Sequence, residues 1–214
     1  MKIVSFVPIK LNSQRLQNKN ILPLAGRPLC RHICDTLLHV KEISEHYVFC
    51  SDEKINQYLP DGFRFLQRNA SLDSDFTKGL DIYTAFASHV PADIYVLAHT
   101  TSPFISSLSI QIALRRVMEG KNDSAFSAER IQSFVWYKGQ PINYSLNDIP
   151  RTQDLDPIYI ETSGFFIFRR DILIDHQRRI GFKPFIQEVT GKEAIDIDTK
   201  DDYDKAVLYS KMEV

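Results

Sequence analysis

The sequence is poor in the features that usually betray a function. Only three cysteines occur in 214 residues, Cys30, Cys34 and Cys50. An odd count argues against a secreted disulfide framework. The Cys30/Cys34 spacing would put two thiols on one helix face, yet no histidine or further cysteine lies nearby to complete a zinc site. They read as small buried hydrophobes. The eight glycines are scattered, so the dinucleotide fingerprint G-x-G-x-x-G cannot be assembled, and the Walker phosphate loop is missing too. The nucleophile elbow and the zinc-protease helix motif are likewise absent. Charge of one sign is also lacking. With 26 basic and 27 acidic residues the net charge is −1, so no chain-wide field exists for nucleic acid or anionic membrane. A polyanion would have to meet a local cluster of cations. The opening Met1-Lys2-Ile3-Val4-Ser5-Phe6-Val7-Pro8 is too short an apolar run for a signal peptide or a membrane span, and the chain is read as cytoplasmic.

What is present is an ordinary globular composition, 43% hydrophobic and 25% charged, enough for a core without staples. The length suggests one domain covering residues 1–214. Ile3 to Ile9 is an apolar, β-branched run that reads as a buried first strand. Apolar residues at helical spacing follow from Pro28 to Val40. Short strands are expected at Tyr47–Cys50 and Phe63–Leu66, a helix over Asp81–Val90, a strand over Asp93–Ala98 and a helix over Ser109–Met118. This order predicts an α/β fold with a mainly parallel sheet and helices on both faces. Regularity weakens from Ala125 to Phe185, where short strand-like runs (Phe134–Tyr137, Phe165–Phe168) sit among proline and glycine. That stretch, roughly 130–185, reads as a β-rich arm suited to dimerisation. A last strand is expected at Ala194–Asp198 and a closing helix over Asp201–Met212.

Three segments carry candidate chemistry. The loop after the first strand offers Lys10, Arg15 and Lys19 among small polar residues. Ligands of open α/β sheets collect at carboxyl ends of strands, and such a loop can wrap a polyphosphate; a solvated basic loop is the plainer alternative. Asp196 and Asp198 stand two apart in an isoleucine frame. Strand periodicity puts both carboxylates on one face, a pair of hard oxygen donors that suits Mg²⁺ together with substrate phosphates. Helix capping by Asp198 or Thr199, assisted by Asp202, is the competing explanation. His99-Thr100-Thr101-Ser102-Pro103 follows the clearest strand, where Thr and Ser also serve turns and caps and His99 alone would pass for a structural histidine.

Taken together these segments resemble the acylneuraminate cytidylyltransferase family, which makes CMP-sialic acid and related CMP-nonulosonates. The family's opening P-A-R-x-x-S-K-R-L-P-x-K-N is met in register by Pro8, Ser13, Arg15, Leu16, Lys19 and Asn20. Its L-x-x-T-S-P is similar to Leu97 with Thr101-Ser102-Pro103, its R-R-Q-D-L-P to Arg151-Thr152-Gln153-Asp154-Leu155, and its D-I-D-T to Asp196-Ile197-Asp198-Thr199. The resemblance implies a Rossmann-like three-layer α/β/α sandwich, a homodimer, CTP as co-substrate with Mg²⁺ as cofactor, and an acidic nine-carbon sugar as acceptor. It places Lys19, Lys10, Asp196 and Asp198 in catalysis, the two aspartates as metal ligands. Ser13, Gln14, Arg15, Asn20 and Arg68 fall to the nucleotide. His99 (at the place of a sugar-contacting Gln), Thr101, Arg151, Gln153 and Ser163 fall to the sugar. Arg178 and Arg179 would meet the sugar carboxylate, reaching into a partner subunit's site.

The departures are specific. Lys10 replaces an Arg, keeping charge but losing the bidentate fork. Gln14 replaces a Lys, and Glu161 and Ser163 replace Arg and Asn ahead of Gly164. A different acceptor, such as an eight-carbon acidic sugar or a polyol phosphate, is one alternative. A non-catalytic sugar-nucleotide binding protein is another. In the implied reaction the sugar's anomeric hydroxyl attacks the α-phosphorus of CTP in line and expels pyrophosphate, with positioning and electrostatics supplying most of the catalysis.

Overall fold

A computed structural model describes residues 1–212 of the chain. The apolar run Ile3–Ile9 is strand β1. Its side chains alternate, Ile3, Val7 and Ile9 entering one core while Val4 and Phe6 enter another. A strand buried on both faces requires layers on both sides of its sheet. The remaining elements supply them: α1 (Leu29–Leu38), β2 (Glu45–Cys50), β3 (Phe63–Gln67), α2 (Gly79–His89), β4 (Ile94–Ala98) and α3 (Ser107–Met118). They are followed by β5 (Ser124–Ile131), β6 (Ile158–Arg169), α4 (Arg170–Ile174), β7 (Pro184–Val189) and α5 (Lys200–Lys211).

The seven strands form one sheet in the order β7-β5-β6-β4-β1-β2-β3. All neighbouring pairs are parallel except those of β6, which runs antiparallel to β4 and β5. On one face Ile33, Cys34 and Leu37 of α1 and Ile110, Leu114 and Val117 of α3 pack over Val7, Val48, Val96 and Ile167. On the other, Tyr83, Phe86 and Ala87 of α2 meet Phe6, Phe49, Tyr95, Phe166 and Phe168. The expected Rossmann-like three-layer α/β/α sandwich is the observed one. All three cysteines are buried thiols, and burial pushes that of Cys30 up to about 12.

Two sequence expectations need correction. The stretch 130–185 is not an arm throughout. Residues 158–169 are β6, in the interior of the sheet, and 184–189 are β7 at its edge. The periodicity was masked there because buried Ser124, Ser127 and Thr162 interrupt the apolar pattern. Thr162 instead donates to the Ser127 hydroxyl at 2.9 Å, and the β5–β6 register slips between Glu161 and Phe166. The part that departs from the sheet lies between β5 and β6, where Trp136–Tyr137 pairs with Gln140–Pro141 in a small hairpin. Second, Ala194–Asp198 is not a strand. Gly191–Ala194 is a 3₁₀ turn and residues 195–198 belong to no ladder, tied to the segment after β4 by the bond from Ile197 N–H to the Thr101 carbonyl at 2.8 Å. The alternation survives without the sheet, because Ile195 and Ile197 both pack into a third apolar cluster with Leu24, Leu29 and Ala206.

Candidate active site

The carboxyl ends of four adjacent strands deliver Lys10 (after β1), Ser51 (after β2), Arg68 (after β3) and His99 (after β4) along one rim of the sheet. The two strands that flank the change of winding, β1 and β4, are neighbours there, the place where open α/β sheets bind ligands.

The loop following β1 is closed at its ends by Asn20, whose amide donates to the Lys10 carbonyl at 2.6 Å. Asn18 takes the left-handed turn (φ 55) that precedes Lys19–Ile21, a conformation Asn tolerates better than most residues. Leu16 turns inward and joins the same apolar cluster that holds Ile195 and Ile197. The basic loop and the acidic segment are thus bound to one another through their apolar sides, which leaves their charged sides facing. There Lys19 donates to Asp198 at 2.9 Å and Arg15 donates to its other oxygen at 2.8 Å. The separation in sequence is 183 residues for the Arg15 contact; hydrophobic packing closes it.

The two aspartates titrate in opposite directions. Burial would raise Asp198, but the hydrogen bond and charge of Lys19, with Arg15, hold its carboxyl below the usual range. Burial dominates at Asp196 and raises it, only partly offset by a hydrogen bond from Thr101 and reinforced by the charge of Asp198. One Asp196 oxygen, Oδ1, is buried without a hydrogen-bond partner. A carboxylate oxygen in that condition calls for an unseen donor or cation, and beside Asp198 it fits a hard divalent ion that completes its shell with phosphate oxygens and water. Capping of α5 falls to Thr199 and Asp202, which form a reciprocal capping box, so the aspartate pair is left free of that duty apart from a long Asp198 N–H contact to Asp202 of 3.3 Å.

Lys10, Ser13, Gln14, Arg15 and Lys19 line a cavity of about 250 Å³ that Asp75 completes. Asp75 accepts from Lys10 at 2.9 Å and from Gln14 at 2.6 Å. The basic cradle therefore meets two internal carboxylates, Asp75 and Asp198. A second cavity of about 340 Å³ adjoins it, lined by Lys10, Arg68, Asp75, Tyr83 and His99 among others. Arg68 is buried, donating to the carbonyls of Ile9 (2.9 Å) and Phe49 (3.4 Å) and paired with Asp73. It ties three strand ends together while its side chain forms the cavity floor.

His99 is fixed by the Ser163 carbonyl, 2.7 Å from its Nδ1. A carbonyl can only accept, so Nδ1 carries the proton and Nε2 is left as an acceptor. Burial, with the charges of Arg179 and Lys19, pushes His99 down to about 4 against the Ser163 bond. It is neutral at physiological pH. Ser163 owes its orientation to a left-handed backbone (φ 58) in the β6 bulge. Gly164 follows because a Cβ there would lie 2.7 Å from Ile105 Cδ1 and 2.9 Å from Ser127 Oγ.

Of the expected sugar-site residues, His99 and Ser163 meet each other and Thr101 meets Asp196 instead. Arg179 lies in its own subunit's cleft, close enough for its charge to act on His99. Arg178 lies over Phe182, 4.8 Å from the ring centroid, and lines the same cavity as Arg179. Arg151 and Gln153 stay outside the cleft's bonding network: Arg151 pairs with Asp154 at 2.7 Å within its own turn and the Gln153 carbonyl accepts from Gln132. Thr100, in the polar segment after β4, donates to the Asn20 side chain. Reading the sequence missed Asp75 and Tyr83. It also missed Glu193, whose carboxylate accepts from Ser106 N–H at 2.8 Å and Ser109 Oγ at 2.9 Å, anchoring the acidic segment to the start of α3.

Fold and site together define a nucleotide-binding α/β protein whose cations and carboxylates converge on one rim. The cytidylyltransferase family model matches residues 4–213, and the chain belongs to that family. It is 24% identical over 214 residues to an N-acylneuraminate cytidylyltransferase of Streptococcus agalactiae serotype III, covering 95% of this chain and 52% of the relative. It is 23% identical over 192 residues to a 3-deoxy-manno-octulosonate cytidylyltransferase of Escherichia coli, covering 83% and 76%. The chain spans about half the length of the N-acylneuraminate relatives it matches. Among solved structures, a CMP:2-keto-3-deoxy-manno-octonic acid synthetase complexed with CTP superposes with a TM-score of 0.75 at 19% identity over the full length of both chains. No helix among the described residues is long and apolar enough to cross a membrane.

Proposed function

We propose that the chain transfers CMP from CTP to the anomeric hydroxyl of an acidic nine-carbon sugar of the sialic-acid type, releasing pyrophosphate. The observation that carries this reading is the meeting of Lys19 and Arg15 with Asp198 on the strand rim. Lys10, Arg15 and Lys19 receive the triphosphate, with Ser13 and Gln14 completing the cradle, and Asn20 and Arg68 shape the adjoining nucleotide cavity. Lys19 and Lys10 neutralise the charge that grows on the departing pyrophosphate. Neutral His99 accepts a hydrogen bond from a sugar hydroxyl through Nε2 and orients it toward the α-phosphorus. Asp196 and Asp198 would hold Mg²⁺, which supplies charge neutralisation and polarisation of phosphate oxygens when bound.

The segment between β5 and β6 that carries the hairpin exposes Phe134, Trp136, Tyr137, Ile142, Leu146 and Ile149. An apolar surface of that kind supports an interface, and we assign it to a homodimer contact within a single domain spanning 1–214. We assign the reaction to the cytoplasm, where CTP is available as co-substrate. An eight-carbon acidic acceptor is the second reading, favoured by the E. coli relative, which the match covers to 76% of its length. Pyrophosphate release from CTP, measured across a panel of nine- and eight-carbon acidic sugars, tests the choice. Faster turnover with nine-carbon acceptors is expected. Turnover confined to eight-carbon acceptors would install the second reading, and CTP binding without turnover on any panel member would leave a binding protein.

A further inference from the structure

Apart from the phosphate cradle there is a cavity of about 360 Å³, lined by Lys78, Gly79, Tyr83, Glu161, Arg178 and Arg179 among others. Tyr83 lines both this cavity and the one containing His99, so one side chain borders the two. Three groups border the Arg179 guanidinium. Its face lies 3.9 Å from the centroid of the Phe166 ring. One nitrogen donates to Glu161 Oε2 at 2.9 Å. The Tyr83 hydroxyl lies close enough for the Arg179 charge to act on it.

Each support is itself anchored. Phe166 is fully buried and meets His99 edge-on at 6.1 Å. Tyr83 is buried, and its hydroxyl sits where a Cβ on residue 79 would come within 2.8 Å, so glycine at 79 leaves the space. Glu161 stands at the start of the β6 bulge that also aims the Ser163 carbonyl at His99. Lys78, Arg178 and Arg179 outnumber Glu161 among the charged groups lining this cavity, so it remains positive although Arg179 is paired. A guanidinium offers five donors in a fixed fork, and two supports leave the rest of the fork available for bidentate binding of a carboxylate.

We propose that Glu161 and Tyr83 are positioning residues that hold Arg179 of the same subunit on the Phe166 ring as the receptor for the acceptor's carboxylate. The proposal rests on the reading of the chain as a transferase to an acidic sugar. Glu161, standing where the family pattern has Arg, then acts through Arg179 and does not touch the acceptor's carboxylate itself.

The test compares KM for an acidic acceptor with KM for its methyl ester, in the wild type, Glu161→Ala, Glu161→Gln and Tyr83→Phe. The wild type should prefer the acid by about tenfold or more, the order set by a charged hydrogen bond. Glu161→Ala and Tyr83→Phe should each erode that preference several-fold, with KM for CTP as in the wild type for Glu161→Ala, whose side chain does not line the nucleotide cavity. Glu161→Gln, which keeps an accepting oxygen, should retain more of it than the alanine variant. An undiminished acid preference in Glu161→Ala overturns the proposal. A second readout is independent of any acceptor. The His99 imidazole titration, followed by NMR and assigned through His99→Gln, should move in Glu161→Ala as the guanidinium leaves its place. A wild-type titration there overturns the clamp. If His99 moves but no acidic sugar is turned over, the clamp on Arg179 stands while the transferase reading and the carboxylate assignment fall.

Discussion

Replacing Asp198 by Asn keeps the shape of the side chain and removes the charge on which Lys19 and Arg15 converge. The structural cost follows from solvent exposure. The Lys19 side chain is 11% exposed and that of Asp198 36%, which sets the pair between a fully buried one, where breakage costs about 3–5 kcal/mol, and a surface one worth at most about 1 kcal/mol. Arg15 is 69% exposed and adds little. A loss of about 1–2 kcal/mol results, a fall in melting temperature of about 2–8 °C for a chain of this size. The catalytic cost is of another order. Removing one preorganised charge from around a transferring group lowers turnover about 10²–10³-fold. Pyrophosphate release at saturating CTP, paired with a thermal melt on the same preparation, separates the two. Turnover within threefold of the wild type, in a variant whose melting temperature has dropped as stated, would make Asp198 a structural partner of Lys19 and nothing more.

Three further outcomes are expected. Because His99 is held down to about 4 from an ordinary 6.5, the folded state binds fewer protons than the unfolded one between those values. Its contribution is therefore fully present above about pH 6.5 and lost as pH falls toward 4, at most about 3 kcal/mol; urea titrations over that range should show the loss, and His99→Gln should flatten it. Gly164→Ala drives a methyl into Ile105 and Ser127 and should lower the urea midpoint by the equivalent of about 1–3 kcal/mol. Thr199→Ala removes the α5 cap and should cost about 1 kcal/mol in the same measurement, while leaving the titration of Asp198 to Lys19 and Arg15.

The fold up to α3 was legible because β1, β4, α1 and α3 carry clear signals, apolar β-branched runs or helical spacing that the two cores then use directly. β5 and β6 were not, since their buried hydroxyls satisfy one another across the pair and a bulge breaks the period of two. Ala194–Asp198 shows the converse: an alternating pattern read as a strand is stabilised by packing onto α5 and α1 without a ladder. Within the site, Lys19, Arg15 and Asp198 were identifiable because they stand in motifs that match the family pattern in order, although a solvated loop and helix capping explained each segment locally. Asp75 and Glu161 were harder. A lone carboxylate in a polar loop or at a strand's margin acquires meaning only when the fold sets Lys10 or Arg179 against it.

A crystal structure with CTP bound tests the central claim most directly. The triphosphate should lie among Lys10, Arg15 and Lys19 with its α-phosphate facing Asp196 and Asp198, and the Lys10–Asp75 contact of 2.9 Å exchanged for phosphate oxygens. A nucleotide seated elsewhere, with Lys19 and Arg15 still on Asp198, would contradict the account.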